Sequence, residues 1–351
     1  MPPMPAPQYI VTGGAGFIGS NLVAELLKRD PGCAVMVVDD FRCGSFANLV
    51  EACHRKGVGP FTGEIVPDSV GELNWQPAIT GLEPKAVFHL AAITDTTVAD
   101  EQTMMRDNTE GFVEMVTASA EAGVPLVYAS SAATYGTPAQ TATREPFPIE
   151  AAGEPNNVYG FSKWMMEVEH RRIADERAGE GERVPPVVGL RFFNVFGPCE
   201  AGKGKMASMV YQLATQVLAG KTPRLFADGE QARDQVCVDD VVDCTLAAAG
   251  LGSKPDPTPG VYNLGSGQAT SFNAIIKAIE TALGRGEAIT PDYFEMPEPI
   301  RRFYQDFTCA DMAATATGLG WTPGHDPLEA MVEYVAYLAE HPKTWQAGAA
   351  S

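Results

Sequence analysis

Short apolar runs alternate with longer amphipathic segments through the first half of the chain. The runs near residues 9, 35, 87, 127 and 189 are rich in Val, Ile, Leu and Phe, which is typical of buried strands. Between the first two runs, Phe17–Arg29 repeats apolar residues at helical spacing. Strands that alternate with helices predict a parallel sheet covered by helices on both faces. The sequence therefore predicts an α/β fold with a doubly wound parallel sheet.

The alternation becomes less regular in the second half of the chain. Residues 1–195 are predicted to form the doubly wound domain, to which part of the later chain can return. Residues 196–340 are predicted to form mainly a smaller, mixed α/β C-terminal domain, and residues 341–351 a flexible tail. The helices predicted after the first are Met104–Ala122, Val158–Arg177, Met206–Leu218, Asp239–Ala249, Ser271–Leu283 and Leu328–Ala339, and short strands are predicted at Arg224–Phe226, Gln235–Val238 and Val261–Leu264.

A glycine motif joins the first strand to the first helix. In this Thr-Gly-Gly-Ala-Gly-Phe-Ile-Gly segment, Gly13 permits a tight turn, Gly16 lets the backbone approach a pyrophosphate, and Gly19 lets the helix pack close to the sheet. The amino end of the helix then faces the phosphates. Strand, glycine turn and helix in this order predict a Rossmann-type dinucleotide site.

The second strand ends in an acid, Asp39, about twenty residues after the motif, where a ribose hydroxyl is commonly held. A carboxylate at this place favours NAD because it repels a 2′-phosphate. Arg42, two residues beyond Asp40, could instead hold that phosphate. The residues leave the choice between NAD and NADP open.

A tyrosine and a lysine lie four positions apart, at Tyr159 and Lys163, so that both occupy one face of a predicted helix. An adjacent ammonium favours the phenolate and is expected to lower the pKa of the tyrosine. Ser131 ends another predicted strand, where it can hydrogen-bond a reacting hydroxyl opposite the tyrosine. These three side chains predict acid–base chemistry beside the cofactor.

The charge and cysteine content restrict the class of partner. The net charge of −19 argues against nucleic acid or an anionic membrane surface as a partner, because both require basic patches. No apolar run is long enough to span a bilayer, and the proline-rich start lacks the pattern of a signal peptide. Seven cysteines without a paired motif and five histidines without ligand spacing predict free thiols in a reducing cytoplasm and no metal site.

Taken together, the glycine motif, Ser131, Tyr159 and Lys163 resemble the extended short-chain dehydrogenase/reductase family that acts on nucleotide sugars. The resemblance extends from about Tyr9 to Leu338. It implies that the cofactor also contacts Phe17, Ile18, Asp40, Leu90, Ala91, Ala92, Asn108 and Val195.

The segment Cys199–Ser208 refines this resemblance. Gly-Pro-x-Glu-x-x-Lys followed by Met-Ala-Ser is similar to the ADP-L-glycero-D-manno-heptose 6-epimerase family. The resemblance implies inversion of the carbon bearing the exocyclic hydroxyl of ADP-heptose, in the synthesis of lipopolysaccharide core precursors, with a tightly held NADP or NAD. It assigns acid–base roles to Tyr159 and Lys203. The implied substrate contacts are Ser131, Asn194, Lys205, Gln212, Phe226, Arg233 and Tyr304.

Two positions depart from the family pattern: Lys205 stands where members often have serine, and Gln212 where they often have histidine. Arg233, with Arg301 or Arg302, is expected to grip the substrate diphosphate, since a guanidinium suits phosphate geometry. We also expect a homo-oligomer. The alternatives are another nucleotide-sugar epimerase or dehydratase, such as a UDP-sugar 4-epimerase, and a non-catalytic NAD(P)-sensing protein.

Overall fold

A seven-stranded parallel sheet forms the centre of the protein in the computed structural model, which describes residues 6–94, 100–284, 286, 288–296 and 304–346. Its strands are β1 (Tyr9–Thr12), β2 (Val35–Val38), β3 (Glu64–Val66), β4 (Ala86–His89), β5 (Leu126–Ser131), β6 (Val187–Phe192) and β10 (Gly260–Leu264). They follow the order β10-β6-β5-β4-β1-β2-β3. The order reverses beside β1, so loops diverge there and leave a crevice at the carboxyl edge of the sheet.

Helices cover both faces of this sheet, and the alternation of side chains along β1 shows why. The helices of the first part are α1 (Phe17–Arg29), α2 (Phe46–Lys56), α3 (Trp75–Thr80), α4 (Glu101–Thr109), α5 (Phe112–Ala122), α6 (Ala139–Thr143) and α7 (Val158–Gly179), and α9 is Val238–Ala248. Tyr9 and Val11 lie on one face of the sheet and pack with α1, α2 and α9. Ile10 lies on the opposite face and packs with α3, α5 and α7. The predicted doubly wound sheet is confirmed.

The helix predicted over Met104–Ala122 is interrupted, and this part of the prediction is wrong. Gly111 has φ 76°, a left-handed conformation that a right-handed helix cannot contain. A side chain at Gly111 would also meet the indole of Trp75. The chain therefore forms α4 and α5 as separate helices.

The later chain builds a smaller, mixed α/β region. A three-stranded sheet has the order β11-β9-β7, and a two-stranded sheet pairs β12 with β8. Val210, Ile275 and Val335 lie in a second apolar core under these strands. The elements are β7 (Asn194–Phe196), α8 (Met209–Leu218), β8 (Arg224–Phe226), β9 (Ala232–Cys237), β11 (Ala269–Ser271), α10 (Phe272–Leu283), β12 (Asp292–Phe294), α11 (Ala313–Leu319), α12 (Pro327–Glu340) and α13 (Lys343–Gln346).

One strand of the later chain returns to the main sheet. Gly260–Leu264 pairs in parallel with β6, and Tyr262 lies opposite Leu190. The helix α9 likewise packs against α1, in the core beneath the main sheet. Among the described residues, no helix is long and apolar enough to cross a bilayer.

Candidate active site

A cleft opens at the carboxyl ends of β1, β4 and β5. The side chains and backbone predicted to contact the cofactor converge there from several separate segments of the chain. The predicted residues that line the cleft are Gly13, Gly16, Phe17, Ile18, Gly19, Asp39, Asp40, Arg42, Leu90, Ala91, Ala92, Tyr159 and Lys163. Lys203 lines the same cleft. The structure therefore joins the glycine loop and both proposed acid–base groups in one site.

The glycine loop has room for a ligand at one position and none at another. At Gly13, which has φ 67°, a Cβ would lie 2.8 Å from the backbone nitrogen of Ala91. At Gly19 a Cβ would collide with the backbone of Gly13 itself. At Gly16 the nearest protein atom to a Cβ would be the Gly13 carbonyl oxygen, 3.1 Å away. Gly13 and Gly19 are thus required by the fold, whereas Gly16 borders open space that fits a pyrophosphate.

Asp39 holds the glycine loop in shape. Its side chain is 7% exposed, and its carboxylate accepts hydrogen bonds from the backbone nitrogens of Ala15 at 2.8 Å and Phe41 at 2.9 Å. Burial raises the pKa of this carboxyl, and the backbone hydrogen bonds oppose that rise. The acid predicted at the end of β2 therefore supports the loop in addition to lining the cleft.

Arg42 lies in the same end of the cleft among acidic side chains. Its guanidinium is 2.9 Å from the carboxylate of Asp40 and 2.5 Å from that of Asp107. These two carboxylates raise the pKa of Arg42. Asp68 and Glu110 line the cleft as well. The positive charge of Arg42 is therefore already balanced by protein carboxylates.

Tyr159 stands in the first turn of α7, which begins where the Asn157 side chain accepts a hydrogen bond from the backbone nitrogen of Gly160. Its hydroxyl hydrogen-bonds the side chain of Ser131 at the end of β5. Burial raises the pKa of Tyr159, and the bond to Ser131 opposes that rise. The expected lowering of this pKa by Lys163 is therefore wrong for the protein alone.

The burial of Lys163 explains why this lysine does not lower the pKa of Tyr159. Its side chain is 1% exposed, and Nζ lies 3.9 Å from Sδ of Met166. Burial lowers the pKa of Lys163 to about 7, because desolvation disfavours an ammonium. Near neutral pH the lysine is therefore only partly charged and cannot strongly stabilise a phenolate.

Lys203 reaches the cleft from a different segment of the chain than Tyr159, on a short 3-10 helix, Ala201–Met206. Its Nζ lies 5.6 Å from the centre of the Phe17 ring. Burial lowers the pKa of Lys203, while the nearby carboxylate of Glu200 raises it. A partly desolvated amine of this kind is suited to proton transfer.

Three of the predicted substrate contacts form a second cluster. The Arg233 guanidinium lies 4.9 Å from the centre of the Tyr304 ring, and that ring lies 5.8 Å from the ring of Phe226. Arg233 is 9% exposed and hydrogen-bonds Tyr304, and burial lowers its pKa. Arg301 and Arg302 lie outside the described residues. The cluster offers a desolvated cation over one aromatic ring, that of Tyr304.

The other predicted contacts lie beside the cleft and outside its lining. Asn108 is buried, and its amide bonds the backbone nitrogen of Ile93 at 2.7 Å and the backbone oxygen of Ile93 at 3.1 Å. Val195 lies in the core at 9% exposure, and Asn194 is exposed at the start of β7. The Gln212 amide donates to the carbonyl oxygens of Ala207, at 2.7 Å, and of the exposed Lys205, at 3.2 Å.

Sequence reasoning missed a buried ion pair beneath the cleft. The Arg191 guanidinium bonds both oxygens of Glu167, at 2.9 and 2.8 Å, and both side chains are at most 1% exposed. Ser130, which lines the cleft, donates to Glu167 at 2.6 Å. The pair ties α7 to β5 and β6. An arginine within an apolar strand and a glutamate one turn beyond Lys163 were the signals available in the sequence.

Comparisons with known proteins agree with this site. Residues 9–265 match the model of the NAD dependent epimerase/dehydratase family. An ADP-L-glycero-D-manno-heptose-6-epimerase of Alkalilimnicola ehrlichii is 38% identical over 314 residues, which cover 87% of this chain and 89% of that protein.

Solved structures extend the comparison. The ADP-L-glycero-D-manno-heptose-6-epimerase of Helicobacter pylori matches with a TM-score of 0.76 and 33% identity, over 95% of this chain and 96% of that chain. A UDP-glucose 4-epimerase of Thermotoga maritima, solved with UDP-glucose, matches with a TM-score of 0.77 and 27% identity, over 95% and 99%. The resemblance seen in the sequence is confirmed: the chain belongs to the NAD-dependent epimerase/dehydratase family and, within it, to the ADP-L-glycero-D-manno-heptose 6-epimerase family.

Proposed function

We propose that this protein is an isomerase that converts ADP-D-glycero-D-manno-heptose to ADP-L-glycero-D-manno-heptose. The observation that carries the proposal is the presence of Tyr159 and Lys203 in one cleft with the glycine loop. The two groups come from different segments of the chain and supply separate proton carriers for the two positions of the sugar oxygen. The relatives named ADP-heptose epimerases support this choice of substrate.

Inversion requires a carbonyl intermediate that presents first one face and then the other to the hydride donor. A nicotinamide cofactor, which the glycine loop and the other cleft residues would hold, would supply reversible hydride transfer at the sugar carbon. The carbonyl intermediate must turn between the two hydride transfers, so its oxygen occupies two positions. Proton transfer needs contact at about 3 Å, and one side chain cannot reach both positions without moving.

Each acid–base group then serves one orientation of the sugar hydroxyl. Tyr159 takes or gives the proton in one orientation, with the Ser131 hydroxyl holding its oxygen. Lys203 does so in the other, and burial lowers the pKa of its ammonium toward the range in which it can exchange a proton. Lys163 lies beneath the tyrosine and completes the Tyr/Lys pair. Arg233 binds the diphosphate of the ADP-sugar from the C-terminal region.

The test is to incubate the purified enzyme with each epimer in D₂O and to follow the sugar by NMR and mass spectrometry. We expect both epimers to reach one equilibrium mixture with no deuterium at the inverted carbon, because the same hydride is returned. Deuterium at that carbon would contradict the oxidation–reduction mechanism. Turnover of UDP-glucose to UDP-galactose at a comparable rate would favour the 4-epimerase alternative.

For the cofactor we propose tightly bound NAD in preference to NADP. The support comes from Arg42, which Asp40 and Asp107 already neutralise, and from the further carboxylates of Asp39 and Asp68 in the same end of the cleft. A 2′-phosphate placed there would meet more negative than positive charge. Tight binding follows from the reaction, since each turnover regenerates the cofactor.

Calorimetric titration of cofactor-free protein tests this preference. We expect NAD to bind at least tenfold more tightly than NADP. We expect Asp107→Asn to reduce this difference in affinity, because it releases Arg42 toward the 2′-phosphate of NADP. Equal or tighter binding of NADP to the unaltered protein would contradict the proposal. A cofactor that survives purification and dialysis would support tight binding.

The remaining expectations concern the oligomeric state and the cellular location of the protein. We propose a homo-oligomer that acts in the cytoplasm on a nucleotide sugar destined for lipopolysaccharide core synthesis. Support for the nucleotide-sugar substrate comes from the relative named ADP-L-glycero-D-manno-heptose-6-epimerase. Light scattering of the purified protein tests the assembly, and a mass corresponding to one chain would contradict it.

A further inference from the structure

Glu200 is a fully buried carboxylate at the base of the loop that carries Lys203. One of its oxygens accepts hydrogen bonds from the Gly197 backbone nitrogen at 3.1 Å and the Ser208 hydroxyl at 2.9 Å. The other accepts from the Ser208 backbone nitrogen at 2.6 Å. Glu200 therefore joins both ends of the segment that contains Lys203.

The same carboxylate is linked to the last long helix. Tyr334 on α12 is 5% exposed, and burial and the nearby Glu200 carboxylate raise its pKa. Ser208, the partner of Glu200, caps α8 by accepting from the Tyr211 backbone nitrogen at 3.1 Å. Elements from distant parts of the chain thus meet at one buried acid.

The carboxylate also acts on the lysine. The Lys203 backbone nitrogen donates to the Glu200 carbonyl oxygen at 2.9 Å, which places the lysine one turn from the acid. Burial lowers the pKa of Lys203, and the Glu200 carboxylate opposes that fall. Burial likewise raises the pKa of Glu200, and its hydrogen bonds to Ser208 and Gly197, together with the charge of Lys203, oppose that rise. The other ionisable groups near Glu200 are Tyr211 and Tyr334, both of which stay neutral because burial and this carboxylate raise their pKa values.

Tyr159 and Lys163 are the ionisable side chains that share the cleft with Lys203 on the side of α7. Lys163 is buried and Tyr159 is half-buried, and the Lys203 ammonium lies over the Phe17 ring at the start of α1. Among the described residues, Glu200 is the ionisable group whose charge raises the pKa of Lys203. Its removal should therefore be visible in the titration of that lysine.

We propose that Glu200 is the positioning residue for Lys203: it fixes the lysine-bearing loop and supplies the negative charge that keeps the ammonium available as a proton donor. Tyr334 completes this support from α12. The inference rests on the acid–base role proposed above for Lys203. It adds a buried acid and a C-terminal tyrosine to the parts of the molecule on which epimerisation depends.

The first experiment compares the pH profile of kcat for the unaltered holoenzyme and for Glu200→Gln. The ionisation that belongs to Lys203 is identified as the one abolished by Lys203→Met. We expect Glu200→Gln to move that ionisation to lower pH by about one unit, since the favourable charge is lost. We also expect kcat to fall about tenfold with KM nearly unchanged. An unmoved ionisation would contradict the proposal, whatever happens to thermal stability.

A second variant keeps the test valid if Glu200→Gln folds poorly. Tyr334→Phe removes one hydroxyl and leaves the ring, and it should shift the same ionisation in the same direction by a smaller amount. Tyr337→Phe is the matched control, because Tyr337 lies on the same helix and donates to a different carboxylate, Glu51, at 2.8 Å. We expect the control to leave the profile unchanged. Equal effects of the two tyrosine variants would overturn the specific role of Tyr334 and Glu200.

These variants also separate the two proposals. If Lys203→Met epimerises as the unaltered enzyme does, the proposed function of Lys203 fails. If Lys203→Met is inactive but Glu200→Gln and Tyr334→Phe keep the normal ionisation, only the inference about Glu200 fails.

Discussion

The proposed cofactor side and the proposed substrate side of the molecule are built on different principles. On the cofactor side, Gly13, Gly16 and Gly19 lie within one short segment, and the backbone of that segment forms the site. On the substrate side, Phe226, Arg233 and Tyr304 come from well-separated positions, and their side chains form the cluster. A site made of backbone follows from local sequence, whereas a site made of side chains depends on how the later chain folds back.

This difference determines how each side should respond to substitution. A backbone site fails when any side chain enters it, because the ligand and the added atom compete for the same space. A side-chain site loses affinity in steps, because each removed group takes away only its own contact with the ligand. The following predictions separate these two behaviours, beginning with the largest expected effect.

The sharpest contrast lies within the glycine loop itself. Gly19→Ala should abolish folding of the loop and cofactor binding together, since the added methyl would enter the backbone of Gly13. Gly16→Ala would bring its methyl to 3.1 Å from the Gly13 carbonyl oxygen, a tight contact that a small shift of the loop relieves, so the protein should still fold yet lose the cofactor. Circular dichroism, thermal unfolding and bound-cofactor absorbance measure both. A folded Gly16→Ala protein with a full complement of cofactor would show that the pyrophosphate lies elsewhere.

The substrate side should show a graded loss. Arg233→Ala should raise KM about tenfold to a hundredfold with a smaller change in kcat, because a buried guanidinium that pairs with phosphate contributes about 2–3 kcal/mol. The control is Arg144→Ala, whose guanidinium stacks on Phe307 at 5.1 Å near the surface. Steady-state assays of both variants test the assignment. An unchanged KM in Arg233→Ala would place the diphosphate away from this cluster.

The smallest effect concerns the pH dependence of stability in the cofactor-free protein. The pKa of Lys163 falls from 10.5 to about 7 on folding, so between these pH values the unfolded chain binds more protons than the folded one. The free energy of unfolding should therefore rise with pH relative to Lys163→Met, by at most about 1.4 kcal/mol per pH unit. Denaturant titrations at pH 7, 8 and 9 measure it. Parallel profiles for the two proteins would mean that the lysine is not desolvated.

The sequence was most informative where a local rule governs the structure. The first strands, the glycine loop and the Tyr159/Lys163 helix follow from apolar runs and motif spacing, and the structure contains all of them. The break at Gly111 was not foreseen, because a helical pattern continues on both sides of that glycine.

Other features depend on tertiary contacts that spacing does not reveal. The raised pKa of Tyr159 and the lowered pKa of Lys163 come from burial by distant segments. The pairing of Arg191 with Glu167 joins a strand to a helix, and the proximity of Tyr334 to the Glu200 carboxylate brings together residues far apart in the chain. Charge states and supporting contacts therefore required the structure.

The central claim is that two separated groups, Tyr159 and Lys203, handle the proton in the two orientations of the sugar. The most direct measurement mixes the cofactor-loaded Tyr159→Phe and Lys203→Met enzymes with each pure epimer and follows both the transient absorbance of reduced cofactor and the formation of the opposite epimer. We expect epimerisation to fall at least about a hundredfold in both variants. We also expect each variant to be impaired most in oxidising a different epimer. Normal epimerisation by Lys203→Met, with cofactor bound, would contradict the account and leave Tyr159 as the sole acid–base group.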